Sequence, residues 1–270
     1  MNRGISLGLL ESAARDGNRE AQYALGGCYR LGNGVEEDLI VARQWLLRAA
    51  EQGYPDAQND IASLLVNGMG GPKDAPIAAI WYERAAQQGH AEAQFNLALR
   101  YLHGDGVTED PAIAARWLWR AMEQHHVEAT CELGTLFRFG RGVNQSYKVA
   151  GGLHLQAAKG GDPVAFGNLS DYHREIAALA FFGDLQSALV MAEINAAGIG
   201  IDKDAIDGLA WALLVGTPEL PFQEDDEAER EQHMALLSTL RSELGAEQQS
   251  ASLHRSAELR DQILSAALGR

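Results

Sequence analysis

The sequence predicts an all-α fold, a right-handed α/α superhelical solenoid of ~36-residue helix–turn–helix repeats closed by a C-terminal helical cap. Three observations predict it. First, a spaced set of residues recurs at a period of 36: Gly32 and Gly34 return as Gly68 and Gly70, Gly104 and Gly106, then Gly140 and Gly142, while Trp45 returns as Trp81 and Trp117. Second, each period holds two stretches whose small and apolar residues recur at 3- and 4-residue steps, the signature of helices with one buried face. Third, hydrophobic content is an ordinary 46%, and no apolar run approaches the ~20 residues of a membrane span.

The first full period justifies each element. Ala21 to Leu31 carries Ala21, Leu25, Cys28 and Tyr29 at helical spacing and is helix A. Gly26 weakens that helix by about 1 kcal/mol relative to Ala; its counterparts Ala62, Ala98, Gly134 and Ser170 are all small, so a close approach of the paired helix is expected. Gly32 ends helix A as a residue able to take positive φ. Asp38 is placed to cap helix B, as Asp110 is before Pro111. Ala42, Trp45, Ala49 and Ala50 then line one face of helix B, and Gly53 ends it.

Taken in order, residues 1–17 read as a lone N-terminal capping helix, with Leu9 answering to Trp45 and Gly17 to Gly53. That alignment accounts for the short apolar run at Ile5–Leu10, so no targeting segment is read and a cytoplasmic location is expected. Four repeats follow at 18–53, 54–89, 90–125 and 126–161. The fourth has Leu153 for Trp, Ser146 for Asp and a Gly151-Gly152 pair in helix B. Two such glycines weaken a helix by about 1–2 kcal/mol, so this one is expected to be loose or bent. About 22 extra residues then enter the register. They are read as an inserted helix over 162–183, followed by a degenerate repeat at 184–216 with helices at 185–197 and 205–215. Pro218 and Pro221 break the chain, and two helices near 224–243 and 246–267 form a C-terminal pair within 217–270.

The 22 Lys and Arg against 37 acids leave a formal charge of −15. Such a surface repels nucleic acid and attracts a basic peptide or protein face. The two cysteines fall three repeats apart, which disfavours a disulfide. No Gly-x-Ser-x-Gly or phosphate-loop motif occurs. His125-His126, flanked by Glu123 and Glu128, stands where other repeats have a glycine, and adjacent helical side chains point ~100° apart, so a surface turn is expected rather than a metal site. No catalytic set, metal or cofactor is therefore expected.

The Leu-Gly-x-x-Tyr of Leu25–Tyr29, the Gly32-x-Gly34-Val35-x-x-Asp38 turn, Trp45, and the Ala49-Ala50-x-x-Gly53 ending resemble Sel1-like repeats, relatives of tetratricopeptide repeats. The resemblance is strong over residues 4–161 and weaker over 184–215. It implies an α/α solenoid that scaffolds or regulates other proteins. Some members of the family oppose or assist secreted effectors, and a disulfide-rich secreted branch is linked to β-lactam binding. The paired cysteines of that branch are absent here.

In such superhelices the A helices line the concave side, and the A-helix face opposite the core collects Tyr23, Arg30, Asn59, Asp60, Phe95, Asn96, Leu99, His103, Arg138 and Phe139. Aromatic anchors could fill pockets, and Asn59 and Asn96 could clamp a peptide backbone. The expected function is a non-catalytic adaptor, regulator or effector-neutralising immunity-type protein that holds a protein or peptide partner in this groove, a basic one being favoured by the net charge of −15. The alternatives are a cell-wall-fragment or β-lactam binder or hydrolase, and a self-associating scaffold. No nucleic acid or membrane is expected as partner, and the chain is expected to be a monomer or weak homo-oligomer.

Overall fold

Each predicted helix B begins where a side chain can satisfy the first-turn N–H groups. The computed structural model describes residues 7–181, 184–198, 204–215 and 227–267. Asp38 Oδ1 accepts from the N–H groups of Ile40 and Val41 at 2.9 and 3.0 Å, and Asp110 Oδ1 does the same for Ala112 and Ile113. Asp74 and Ser146 cap at 3.1 and 3.2 Å. Each such cap stabilises its helix by about 1 kcal/mol. Among the described residues the result is fourteen α-helices and no strand: α1 (Leu7–Arg15), then pairs α2 (Arg19–Leu31) and α3 (Leu39–Glu51), α4 (Pro55–Asn67) and α5 (Ala75–Gln87), α6 (Ala91–His103) and α7 (Pro111–Met122), and α8 (Val127–Phe139) and α9 (Tyr147–Lys159). After them come α10 (Pro163–Phe181), α11 (Leu185–Ala197), α12 (Ala205–Val215), α13 (Glu227–Glu243) and α14 (Ala246–Ala267). Two compact units divide at Ala129/Thr130, within α8.

In the first unit each A helix packs on its own B helix, and each B helix packs on the next A helix, as a solenoid requires. The core is built of small residues around a few large ones, with Leu25, Leu46, Ile61 and Leu97 fully buried. Each large side chain so buried stabilises the fold by about 1.5–3 kcal/mol. A Cβ on Gly26 would stand 2.8 Å from Leu46 Cγ, the expected close approach. The first turn glycine of each repeat is left-handed, with φ from 66° to 68° over Gly32, Gly68, Gly104 and Gly140. In the second and third repeats the second turn glycine has an added reason to be glycine. A Cβ on Gly70 would meet the Leu39 carbonyl oxygen at 2.1 Å, and one on Gly106 the Ala75 oxygen at 2.2 Å, so each turn lies directly on the start of the preceding helix B.

A glutamine ladder joins the repeats. Buried Gln22, Gln58 and Gln94 donate through Nε2 to the carbonyls of Ala14, Ala50 and Ala86 at 3.0–3.1 Å. Their Oε1 atoms accept from Gln52, Gln88 and Gln124 at 2.7–2.8 Å. Each A helix is thereby tied to the end of the helix before it and to the end of its own partner. On the B helices Arg48, Arg84 and Arg120 lie 4.4–4.6 Å over the rings of Trp45, Trp81 and Trp117, three residues on.

In the second unit, α9 corrects one expectation. It is a continuous 13-residue helix despite Gly151-Gly152. A Cβ at Gly151 would stand 3.0 Å from Ile176 Cδ1 and 3.7 Å from Val190 Cγ1, so the glycine lets α10 and α11 lie against the α9 backbone. The bend falls in the inserted helix instead, where Tyr172 takes φ −132° and ψ 23° inside α10. Asp162 caps α10, accepting from the N–H groups of Val164 and Ala165 at 2.7 and 3.0 Å. Helices α11 and α12 match the expected 185–197 and 205–215. Both C-terminal helices pack on α12, burying Leu237, Leu240, Leu259 and Ile263, with Arg255 paired to Asp207 at 2.8 Å. Leu253 of α14 is exposed. The expectations for residues 1–6, for the break at Pro218 and Pro221 and for the start of the helix near 224–243 lie outside the described residues.

Candidate functional site

The predicted A-helix face divides between the two units. In the first unit it forms a strip in which consecutive repeats are linked side chain to side chain. Tyr23 of α2 is half-buried, its ring 5.1 Å from that of Tyr54, the residue that opens α4. Arg30 lies 3.6 Å from Asp60. Asn59 of α4 is buried and accepts from Asn96 Nδ2 of α6 at 3.2 Å; the same Nδ2 lies 3.2 Å from Glu92 Oε1. The Phe95 ring stacks on His126 at 4.8 Å. Leu99 is half-buried and His103 exposed at the C-terminal end of α6. Arg138 and Phe139 belong to the second unit. Arg138 is 3.4 Å from Asp171 and lies over the rings of Phe139 and Tyr172, and Phe139 is 59% exposed.

The residue that opens each A helix proves to be part of this strip, and the sequence reading passed over it. Tyr54, His90 and His126 recur at 36 residues, which was the signal available. His90 Nδ1 accepts from the Ala93 N–H at 3.1 Å, and its Nε2 lies 3.2 Å from Asp56. His126 repeats this with Ala129 at 3.3 Å and Glu92 at 3.0 Å. The histidine pair suspected as a turn is therefore asymmetric. His125 makes the turn, at φ 63°, while His126 is a helix cap that bridges to the previous A helix.

The electrostatics of the strip are acidic. Glu20, Asp56, Glu92 and Glu128 stand at one register in successive A helices. The hydrogen bond from His126 holds the Glu92 carboxyl below its ordinary range. Burial raises Asp60, opposed by the nearby Arg30. Burial, reinforced by Asp60 and Asp56, pushes the Tyr23 hydroxyl up to about 12. The strip thus presents aromatic rings, amides and carboxylates.

A buried polar cluster in the second unit was not foreseen. His154 of α9 is fully buried, and its ring fits against Gly134, where a Cβ would stand 2.8 Å away. Its Nε2 faces the Cys131 carbonyl at 3.1 Å, so the neutral ring accepts at Nδ1 from the Tyr172 hydroxyl, 2.5 Å away. Asn168 Nδ2 reaches Cys131 Sγ at 3.7 Å and Thr135 Oγ1 at 3.5 Å. These include the residue types of a thiol hydrolase, but His154 bonds the Cys131 carbonyl rather than its sulfur. Burial pushes the thiol up to about 12, which leaves no thiolate at neutral pH. Burial also lowers His154 to about 4.

A family model described as Sel1 repeat matches residues 19–54, 55–90, 91–126 and 127–162. No curated protein matches the chain. Among solved structures, a protective antigen present in uropathogenic Escherichia coli strains and displaying an SLR fold is 23% identical. The alignment covers 98% of this chain and 64% of that one, with a TM-score of 0.61; this chain thus spans less than two thirds of that antigen's length. A Sel1 repeat protein from Oxalobacter formigenes is 25% identical, with 86% and 89% covered and a TM-score of 0.56. An immunity protein from Pseudomonas aeruginosa is 16% identical, with 87% and 73% covered. Its TM-score is 0.40.

Proposed function

The chain belongs to the Sel1 repeat family, and on that premise we propose that it is a non-catalytic interaction module holding a protein or peptide partner along the A-helix strip of its first unit. The observation that carries this reading is the strip itself: Tyr23, Asn59, Asp60, Phe95 and Asn96 join three successive A helices into one surface of rings, amides and acids. Rings of this kind anchor peptide side chains, and amides pair with peptide backbone. The acidic register and the net charge of −15 suit a basic partner. An effector-neutralising or adaptor role is the concrete form of this reading. Leu99 and His103 extend the strip, and Arg138 with exposed Phe139 gives the second unit a contact point of its own.

The test is affinity capture from the native host with three baits. Phe95→Ala/Asn96→Ala removes ring and amide from the strip. Because both side chains also link repeats, this double variant is expected to melt below the wild type. Gln94→Glu disturbs the buried glutamine ladder of the same helix and leaves the strip's residues in place, so it serves as the stability control. A stoichiometric partner held by the wild type and by Gln94→Glu, and lost by the double variant, is the expected result. Retention of the partner by the double variant would remove the strip from the site.

A further inference from the structure

The Gly151-Gly152 pair lies within α9, whose counterparts in the earlier repeats carry Arg43-Gln44, Ala79-Ile80 and Ala115-Arg116 at the same positions. Gly151 is explained by the approach of Ile176 and Val190. Gly152 is not, because a Cβ there would meet nothing within 4 Å. It opens onto a cavity of about 380 Å³ between α9 and α11, within the second unit. Leu155, Leu189 and Val190 give that cavity an apolar wall, and Gln156, Lys159 and Glu193 give it a polar one. The register shift lies behind the gap. In the regular repeats a B helix meets the next A helix directly, whereas here α10 packs on α9 first and α11 meets α9 beside it. A departure from a regular pattern that weakens a helix and opens a cavity is where a function is to be looked for.

The polar wall has a defined chemistry. Glu193 is 8% exposed and pairs with Lys159, whose side chain is 52% exposed. A buried carboxylate is thus held by a flexible ammonium that solvent already reaches. An incoming ammonium can take the place of Lys159 on Glu193, and the released Lys159 can then pair with a carboxylate on the same molecule. Gln156 can donate to that carboxylate or accept from the ammonium. The apolar wall suits a branched or aromatic side chain. Small-molecule sites run from about 300 to 1,000 Å³, so this cavity, near the lower end, suits a molecule the size of an amino acid or dipeptide rather than a nucleotide or polymer.

We propose that the cavity between α9 and α11 binds a small apolar zwitterion, a free α-amino acid or dipeptide, with its ammonium on Glu193 and its carboxylate on Lys159. This site is separate from the proposed partner strip and does not depend on it. The experiment is isothermal titration of the full chain with L-leucine and L-phenylalanine, beside N-acetyl-L-leucine, which lacks the ammonium, and 3-methylbutylamine, which lacks the carboxylate. Binding of at least one amino acid, with at least tenfold weaker binding of both analogues, is expected. Gly152→Leu fills the cavity from an open position in a helix, so it should fold at least as well as the wild type and lose the binding. Glu193→Gln should lose it as well. No heat from either amino acid up to millimolar concentration would overturn the proposal, as would undiminished binding by Gly152→Leu. Equal binding of 3-methylbutylamine would overturn the zwitterion assignment.

Discussion

Gln58→Glu tests the glutamine ladder without creating a cavity, since the two side chains have the same shape. Gln58 is 4% exposed, donates to the Ala50 carbonyl at 3.1 Å and accepts from Gln88 at 2.7 Å. The substitution keeps the second bond and replaces the first with two oxygens in contact. Loss of one hydrogen bond removes about 1 kcal/mol. Burial of the new carboxylate adds ~1.4 kcal/mol for each pKa unit by which it is raised, and the Gln88 amide offsets part of that. The sum is about 2–4 kcal/mol at pH 7. For a chain of this size each kcal/mol moves the melting temperature by roughly 2–4 °C, so a fall of roughly 4–16 °C is expected by circular dichroism. The sign with pH is fixed as well. The folded state holds the proton more tightly than the unfolded chain, so the deficit should shrink as pH falls toward the ordinary glutamate range near 4.3. Gln22→Glu and Gln94→Glu occupy equivalent bonds and should behave alike. A Gln58→Glu protein that melts with the wild type at pH 7, or whose deficit ignores pH, would refute the ladder as a source of stability.

Other expectations come from single sites. Gly106→Ala should destabilise clearly more than Gly34→Ala in urea titrations: both have φ near 80°, but only at Gly106 would the Cβ strike backbone, at 2.2 Å, and equal losses would contradict the inter-repeat contact. Burial holds His154 near pKa 4 against an unfolded value near 6.5, so the unfolded chain binds the extra proton between those values. Stability should therefore fall by about 2 kcal/mol from pH 7 to pH 5 on this account, and a His154→Gln variant with the same pH slope would argue otherwise. A thiol reagent should label half-buried Cys28 first and reach Cys131 only on unfolding; prompt labelling of both would show that Cys131 is accessible.

What could be read in the sequence was whatever repeats or obeys a local rule. The 36-residue period gave the A and B helices, Asp38 and Asp110 gave the caps, and the helices read at 185–197 and 205–215 match α11 and α12 to the residue. Interactions between repeats were harder to read, because they join residues 30–37 apart whose identities look ordinary one at a time. Gln22 and Gln52 both recur at 36, yet only the packed helices bring their amides together. The face carrying Phe95 and Asn96 was legible from helical geometry, but its ties to His126 and Asn59 were not. Gly151-Gly152 misled because local propensity treats glycine as loss of helix, whereas tertiary packing uses Gly151 to admit Ile176.

The most direct measurement of the central claim is photo-crosslinking in the native host from single sites on the two faces of the first unit. The photoreactive residue would replace Leu99 on α6 or, on the B helices, exposed Ile80 of α5 and exposed Trp119 of α7. The account predicts one discrete crosslinked protein from position 99 and none from 80 or 119. Crosslinks confined to 80 and 119 would place recognition on the B helices and contradict it.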